Sequence, residues 1–253
     1  MTSILKRCLL PALLAFGFGT GAAMAAEKPS IVLVHGLWAD GSSYNEIIPP
    51  LQAAGYNVIS VQNPLTSLQD DVAAVKRALD HAGGSAILVG HSWGGVVITA
   101  AGVDDRVKGL VYVAALAPDT GESGNDLAAK YPLPLLLKHL TVTDNYIWVN
   151  KDGVQYFAGD LPQKTQDTLY ATQGPANVGL LDTKLDQAPG WKSKPNYYVI
   201  GKKDNTINPD LERFLAKRMN AVAIEVDSSH VPMISHPAAV VQLIEKAAKA
   251  AEK

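Results

Sequence analysis

One short segment of the chain places a serine hydroxyl between two glycines. Ser92 follows the apolar run 86–89, and Gly90 and Gly94 flank it in the pattern Gly-x-Ser-x-Gly. Between a strand and a helix, this pattern is typical of a sharp turn that exposes the serine, and the glycines avoid side-chain clashes in the strained backbone. The helix-compatible run 96–101 follows. Ser92 is therefore the predicted nucleophile of a covalent catalyst.

A serine hydroxyl is a weak nucleophile until a neighbouring base takes its proton, and histidine is the usual base. His230 lies in a loop directly after the predicted strand 223–226. Open α/β sheets place their active sites at the carboxyl ends of strands, so we predict that His230 is the general base. His91 is predicted to pack and His35 to hold the loop after the first strand by hydrogen bonds, whereas a surface or helix-capping role is predicted for the others: His81, His139 and His236.

An acid should orient this histidine from another strand end. Asp204 follows the apolar strand 196–201 and precedes a helix, which makes it the favoured candidate. Asp119, which follows an earlier predicted strand, is the first alternative, and Asp227 is a weaker one.

Attack on a carbonyl also needs donors for the negative charge that develops on oxygen. The backbone N–H of Trp93, directly after the nucleophile at a helix start, is one predicted donor. The second is the N–H of Leu37, in the loop after the first strand, where Gly36 lets the backbone turn inward.

Short apolar runs alternate with segments of helical period from residue 30 onward. Continuous Val, Ile and Leu runs are typical of a mostly parallel sheet covered by helices on both faces, so the predicted class is an open α/β fold. The predicted strands are 30–35, 57–61, 85–90, 107–116, 196–201 and 223–226. The predicted helices are 43–54, 68–82, 93–102, 209–220 and 237–251.

The alternation stops in residues 118–194, where prolines, glycines and scattered aromatics predominate. We predict that this segment is a cap inserted into a core made of residues 26–117 and 195–253. A cap presents some apolar surface to the site beneath it. The residues predicted to line the substrate pocket are Trp38, Leu116 and Trp148.

The first 25 residues have the pattern of a secretory signal peptide. Lys6 and Arg7 precede an apolar stretch, and the segment 23–25 is Ala-Met-Ala. The apolar stretch is shorter than the ~20 residues that a spanning helix needs. We expect cleavage after Ala25, a periplasmic or secreted protein, and no membrane anchor afterwards. The one cysteine, Cys8, would leave with the signal.

Charge and composition narrow the range of partners. The formal net charge of −2 falls to about −4 after signal removal, which argues against nucleic acid or an anionic membrane as the partner. We expect a small-molecule substrate, no metal and no organic cofactor.

These motifs together resemble the α/β-hydrolase superfamily, and within it the group of plant methyl esterases and hydroxynitrile lyases. The resemblance implies an α/β-hydrolase fold with Ser92, Asp204 and His230 as a triad in the usual chain order, and with Leu37 and Trp93 as oxyanion donors. The motifs that carry it are Val-Leu-Val-His-Gly at 32–36, Gly-His-Ser-Trp-Gly-Gly at 90–95, Leu-Ala-Pro-Asp at 116–119, the trio Asp204, Ile207 and Pro209, and the run 228–237.

The lyase branch of that group differs at two positions. Its members have a lysine directly after the catalytic histidine and a threonine after the histidine of the first loop, whereas this chain has Val231 and Gly36. Without the lysine there is no evident group to hold cyanide, so the chain resembles the esterase branch.

The predicted function is hydrolysis of a small, largely apolar carboxylic ester through an acyl-enzyme. Lactone or thioester hydrolysis and peracid formation use the same triad and stay open as alternatives. A non-catalytic ligand-binding protein on a hydrolase scaffold is the alternative from another class, since a fold does not determine a function.

Overall fold

A parallel β-sheet lies at the centre of the protein, in a computed structural model that describes residues 28–252. The strands of this part of the chain are β1 (Ser30–Val34), β2 (Val58–Val61), β3 (Ala86–His91), β4 (Val107–Val113), β5 (Leu140–Thr143), β6 (Tyr146–Val149), β7 (Ala176–Asn177), β8 (Asn196–Gly201) and β9 (Val222–Val226). The main sheet has the order β2-β1-β3-β4-β8-β9 with every neighbouring pair parallel. The predicted α/β class is confirmed.

Several helices pack against this sheet. Within residues 28–252 they are α1 (Ile48–Ala53), α2 (Leu68–Ala82), α3 (Gly94–Ala101), α4 (Gly124–Ala128), α5 (Val154–Ala158), α6 (Gln163–Thr172), α7 (Pro209–Arg218), α8 (Pro232–Ser235) and α9 (Pro237–Ala251). Helices α2 and α3 contact each other, and α9 contacts α1. Residues 31–34 of β1 are fully buried, as a strand covered on both faces must be. In the described residues no helix is long and apolar enough to cross a bilayer.

Several element boundaries differ from the predictions for local reasons. The predicted helix 43–54 is divided into a 3-10 turn, Gly41–Tyr44, and α1. Pro49 and Pro50 lack a backbone N–H, so they are tolerated only in the first turn of α1. Strand β4 ends at Val113 rather than near residue 116, because Ala114 has a left-handed φ of 44° that turns the chain away from the sheet.

The segment between β4 and β8 contains more regular structure than its sequence predicts. Helices α4, α5 and α6 lie in it, together with a three-stranded antiparallel sheet, β5-β6-β7. These strands are two to four residues long, too short for a clear alternating pattern. Residues 118–194 are called the cap segment below. The predicted signal peptide, residues 1–25, lies outside the described residues.

Candidate active site

Ser92 occupies a tight turn between β3 and α3. Its φ is 55°, a left-handed value that is uncommon for a residue other than glycine. The turn is held by backbone hydrogen bonds on both sides, because the Ser92 N–H donates to Val113 O at 3.2 Å and Ser92 O accepts from Gly95 N at 3.0 Å. The hydroxyl group therefore projects from a strained but well-anchored backbone.

Glycines allow two other chain segments to approach this turn. A Cβ on Gly94 would overlap the carbonyl oxygen of Val34 in β1. A Cβ on Gly36 would lie 2.5 Å from Ser92 Cβ, so the loop after β1 reaches the nucleophile only because residue 36 has no side chain.

The backbone N–H groups of Leu37 and Trp93 lie beside Ser92. Both residues line the cavity that contains Ser92. Within residues 28–252 neither N–H has a hydrogen-bond acceptor, which is unusual for buried backbone groups. Unpaired N–H groups of this kind are expected of the donors of an oxyanion hole.

His35 holds the loop that presents Leu37. The Asn63 N–H donates to His35 Nε2 at 2.9 Å, so the proton of the ring lies on Nδ1 and is donated to Gly36 O, also at 2.9 Å. The Asn63 side chain in turn donates to His35 O at 3.0 Å. Burial lowers the pKa of His35, which keeps the ring neutral. The sequence predicted this loop-holding role for His35 but did not suggest Asn63.

The indole of Trp93 is fixed by a buried acid. Trp93 Nε1 donates to Asp71 Oδ2 at 2.7 Å, and the Leu65 N–H donates to Asp71 Oδ1 at 2.9 Å. Burial raises the pKa of Asp71, while the two donors act in the opposite direction. Sequence reasoning missed Asp71, although it lies on the apolar stripe of α2 with Ala74 and Ala78.

Asp204 and His230 form a buried pair. His230 Nδ1 lies 2.5 Å from Asp204 Oδ2, and both side chains are fully buried. His230 Nε2 has no hydrogen-bond partner within residues 28–252. A neutral ring that donates from Nδ1–H to the carboxylate has a free lone pair on Nε2, as a general base requires. The two alternative acids pair with lysines instead: Asp119 with Lys192 and Asp227 with Lys203.

His91 links the nucleophile turn to the histidine loop. Its Nε2 lies 2.8 Å from the carbonyl oxygen of His230, and the centroids of the two rings are 4.7 Å apart. Burial, followed by the proximity of His230, holds the pKa of His91 well below its usual value. A neutral ring must carry its proton on Nε2 to donate to that carbonyl. The sequence predicted only a packing role for His91, whereas the structure shows that it anchors His230.

The cap segment also contacts the histidine loop. The His230 N–H donates to Phe157 O at 3.2 Å, and the two rings lie 5.2 Å apart. Asp160 accepts from the Ser229 N–H at 3.0 Å and from the Ser229 hydroxyl. These contacts come from residues about 70 positions away in the sequence, and no motif predicted them.

An apolar cavity lies over Ser92. It is lined by residues from the core and from the cap segment, and none of them is charged: Leu37, Trp38, Ser92, Trp93, Leu116, Gly124, Asn125, Ala128, Tyr131, Pro132, Pro134, Leu136, Leu137, Leu181, Thr206, Ile207, Asn208 and Leu211. Two of the three predicted pocket residues, Trp38 and Leu116, are among them.

Trp148, the third predicted pocket residue, does not line this cavity. It lies in β6 and is 37% exposed, whereas its neighbour Ile147 packs against the hydrophobic core, and the backbone oxygen of Ile147 accepts a hydrogen bond from Trp38 Nε1 at 3.0 Å. Alternate residues of a strand point to opposite faces, so Trp148 points away from the face that holds Ile147. In residues 28–252 no group of three or more His, Cys, Asp or Glu side chains is placed to hold a metal ion.

Gly36→Ala is expected to lower hydrolytic activity at least about a hundredfold, because small displacements of positioning groups carry costs of that order. The added methyl group would push the Leu37 loop away from Ser92. Overpacking should also cost about 1–3 kcal/mol and lower the melting temperature by several degrees. Steady-state kinetics and thermal unfolding measure the two effects. Gly84→Ala is the matched control, since a Cβ there meets open space. Full activity in Gly36→Ala would rule out this packing role.

Comparisons with known proteins identify the family to which the chain belongs. The family model described as "Alpha/beta hydrolase family" matches residues 31–243, and the chain belongs to this family. The chain is 25% identical over 245 residues to Alpha/beta hydrolase nvfD of Aspergillus novofumigatus, with 87% of this chain and 97% of that protein covered. It is 21% identical over 241 residues to Methylesterase 8 of Arabidopsis thaliana, with 83% and 86% covered.

A solved structure with a similar fold is that of a pyrethroid hydrolase from Sphingobium faniae. The TM-score is 0.74 at 20% identity, covering 88% of this chain and 98% of that one. The predicted resemblance to the superfamily and to its methyl esterase group is confirmed by these relatives.

Proposed function

We propose that the protein is a serine hydrolase that cleaves a small, largely apolar carboxylic ester through an acyl-enzyme intermediate. The observation that carries this proposal is the buried Asp204–His230 pair, with Nε2 of His230 unpartnered in the described residues. The His91 hydrogen bond holds this pair against the turn that presents Ser92.

In the first half-reaction, His230 Nε2 takes the proton from Ser92 as Oγ bonds to the carbonyl carbon. The Leu37 and Trp93 N–H groups would stabilise the oxyanion. His230 then gives its proton to the leaving alcohol as the ester C–O bond breaks. Asp204 keeps the ring oriented and stabilises its charged form.

In the second half-reaction, water replaces the alcohol. His230 takes a proton from water, whose oxygen bonds to the acyl carbon, and then returns the proton to Ser92 as the acyl–serine bond breaks. One ester and one water molecule are consumed for each carboxylic acid and each alcohol released.

The cavity lining supports an uncharged, largely apolar substrate. Leucines, prolines, Trp38 and Tyr131 provide most of the surface, and no lysine or arginine is present to pair with a carboxylate. A charged substrate would lose its hydration in this cavity without gaining an ion pair, which is costly. An apolar ester loses little hydration and gains contact with the lining.

Turnover of a short-chain aryl ester tests this proposal. We expect release of acid and alcohol in equal amounts, with one oxygen from labelled water in the acid. A folded sample that binds the ester without turnover would support the ligand-binding alternative and overturn the proposal. Transfer of the acyl group to peroxide in preference to water would instead favour a perhydrolase with the same triad.

We also propose that the protein is exported to the periplasm or secreted, on the basis of the signal pattern in residues 1–25. N-terminal sequencing of the exported protein is expected to begin at Ala26, and a cell-retained protein that keeps residues 1–25 would contradict this.

A further inference from the structure

A second buried carboxyl group lies beside the triad acid. Glu212, in α7, has no exposed surface, and its Oε2 accepts a hydrogen bond from the Gly201 N–H at 3.1 Å. Its Oε1 has no donor within residues 28–252. Asp204 belongs to the same turn as Gly201, since the Asp204 N–H donates to Gly201 O at 3.2 Å, so the Glu212 and Asp204 carboxyl groups both lie against this turn. Two neighbouring buried carboxyl groups hold at least one proton between them, because two bare carboxylates would repel each other.

The proton of this pair belongs on Glu212 rather than on Asp204. Asp204 Oδ1 accepts from the N–H groups of Thr206, at 2.6 Å, and Ile207, at 2.9 Å, while Oδ2 faces His230 Nδ1 at 2.5 Å. Three donors stabilise the charged form of Asp204, whereas Glu212 has one.

The other ionisable groups near Glu212 do not supply a compensating charge. Tyr198 is fully buried and neutral. The guanidinium of Arg213 is directed to the surface, where it pairs with Asp210 and Glu225 at 2.8 Å. Burial, with a further contribution from Asp204, raises the pKa of Glu212 well above its usual value.

We propose that Glu212 is a positioning residue, which stays neutral in the folded protein and donates a hydrogen bond from its carboxylic acid group to the carboxylate of Asp204. The expected effect of Glu212 on turnover rests on the proposed function, whereas its expected effect on stability does not. The donated bond fixes Asp204 in the orientation that faces His230. It also disperses part of the negative charge that stabilises the protonated ring.

Two substitutions separate hydrogen-bond donation from simple packing. Glu212→Gln keeps the shape and the donor, because an amide N–H can point to Asp204 while the amide oxygen accepts from the Gly201 N–H. Glu212→Met keeps the volume but has no donor. We expect Glu212→Gln to retain kcat within about threefold and Glu212→Met to lose roughly tenfold or more, with little change in KM.

The pH profile gives a readout that a packing role would not change. In Glu212→Met the charge of Asp204 is less dispersed and stabilises the protonated His230 more strongly. The midpoint of the acid limb of kcat/KM should therefore move to higher pH, while that of Glu212→Gln stays at its wild-type position. Equal impairment of the two variants, with unshifted profiles, would overturn the proposal.

Stability against pH tests the neutral state without any substrate. Above its ordinary pKa of 4.5, Glu212 ionises in the unfolded chain but keeps its proton in the folded protein. The unfolded state then binds fewer protons, so the contribution of Glu212 to stability is present below pH 4.5 and is lost as pH rises. Glu212→Gln has no such loss.

Denaturant unfolding of the wild-type protein and of Glu212→Gln from pH 5 to pH 8 measures this difference. The ratio of the unfolding equilibrium constant of the wild-type protein to that of Glu212→Gln should rise about tenfold per pH unit. The rise should end at the pH where Glu212 ionises in the folded protein. Glu46→Gln, at an exposed glutamate, is the control and should show no such growth. A constant difference between wild type and Glu212→Gln would show that Glu212 is ionised and would overturn the proposal, even if no ester is ever turned over.

Discussion

Ser92→Ala is expected to lower ester hydrolysis by at least about 10⁴-fold while leaving the fold intact. The substitution removes the attacking oxygen and changes nothing else in the turn, since alanine tolerates the φ of 55° about as well as serine does. Both kcat and kcat/KM should fall together, whereas binding of the ester should persist. Initial rates with an aryl ester, together with circular dichroism, measure activity and folding.

Ser85→Ala is the matched control for this prediction. Ser85 directly precedes β3, and Ser92 directly follows it, so the two substitutions remove a hydroxyl from opposite ends of one strand. We expect Ser85→Ala to keep wild-type activity. Substantial turnover by a folded Ser92→Ala would exclude Ser92 as the nucleophile.

Asp204→Asn is expected to reduce kcat by about 10³–10⁴-fold with the site geometry preserved. An asparagine at this position can donate to His230 Nδ1, which would place the ring proton on Nε2 and remove the lone pair that accepts the serine proton. The buried environment should enlarge the effect, because bulk water cannot replace the lost carboxylate. The measurement is kcat across pH, with the melting temperature as a check on folding.

Asp119→Asn and Asp227→Asn are the controls for Asp204→Asn. Both residues are the alternative candidates for the triad acid that the sequence suggests. Both pair with partly exposed lysines, so the loss of either carboxylate should cost little activity. A large loss in either control, with near-normal activity in Asp204→Asn, would move the acid role to another residue.

The sequence predicts the parts of the site that depend on local geometry. The turn at Ser92 is determined by glycines within two positions of it, and the loops of Asp204 and His230 follow strands whose apolar runs are unambiguous. Six parallel strands bring their carboxyl ends to one edge, so residues that follow different strands meet there.

The supporting residues could not be predicted in the same way, because they depend on tertiary packing. Asn63 and Asp160 reach the site from distant parts of the chain, and His91, although it is next to Ser92, contacts a backbone carbonyl 139 residues away. One signal was present: Asp71 and Glu212 are acids on otherwise apolar helix faces. Such a residue must find a buried partner, and both do so beside the triad loops.

The cap segment was the least predictable part. Its strands are short, and its apolar residues are divided between the cavity and the surface: Leu136 and Leu137 line the cavity, whereas Leu133 is 74% exposed. No local pattern distinguishes these leucines. The orientation of Trp148 was likewise determined by the pairing of β6 with β5 and β7, which the sequence did not reveal.

Mass mapping of a fluorophosphonate adduct tests the central claim most directly. We predict one adduct per chain on the peptide that contains Ser92, no adduct in Ser92→Ala, and labelling slowed by orders of magnitude in His230→Ala, because the base that activates the hydroxyl is then absent. An adduct on another residue of the folded protein, or labelling of Ser92 at an unchanged rate in His230→Ala, would contradict the assignment of Ser92 as a nucleophile activated by His230.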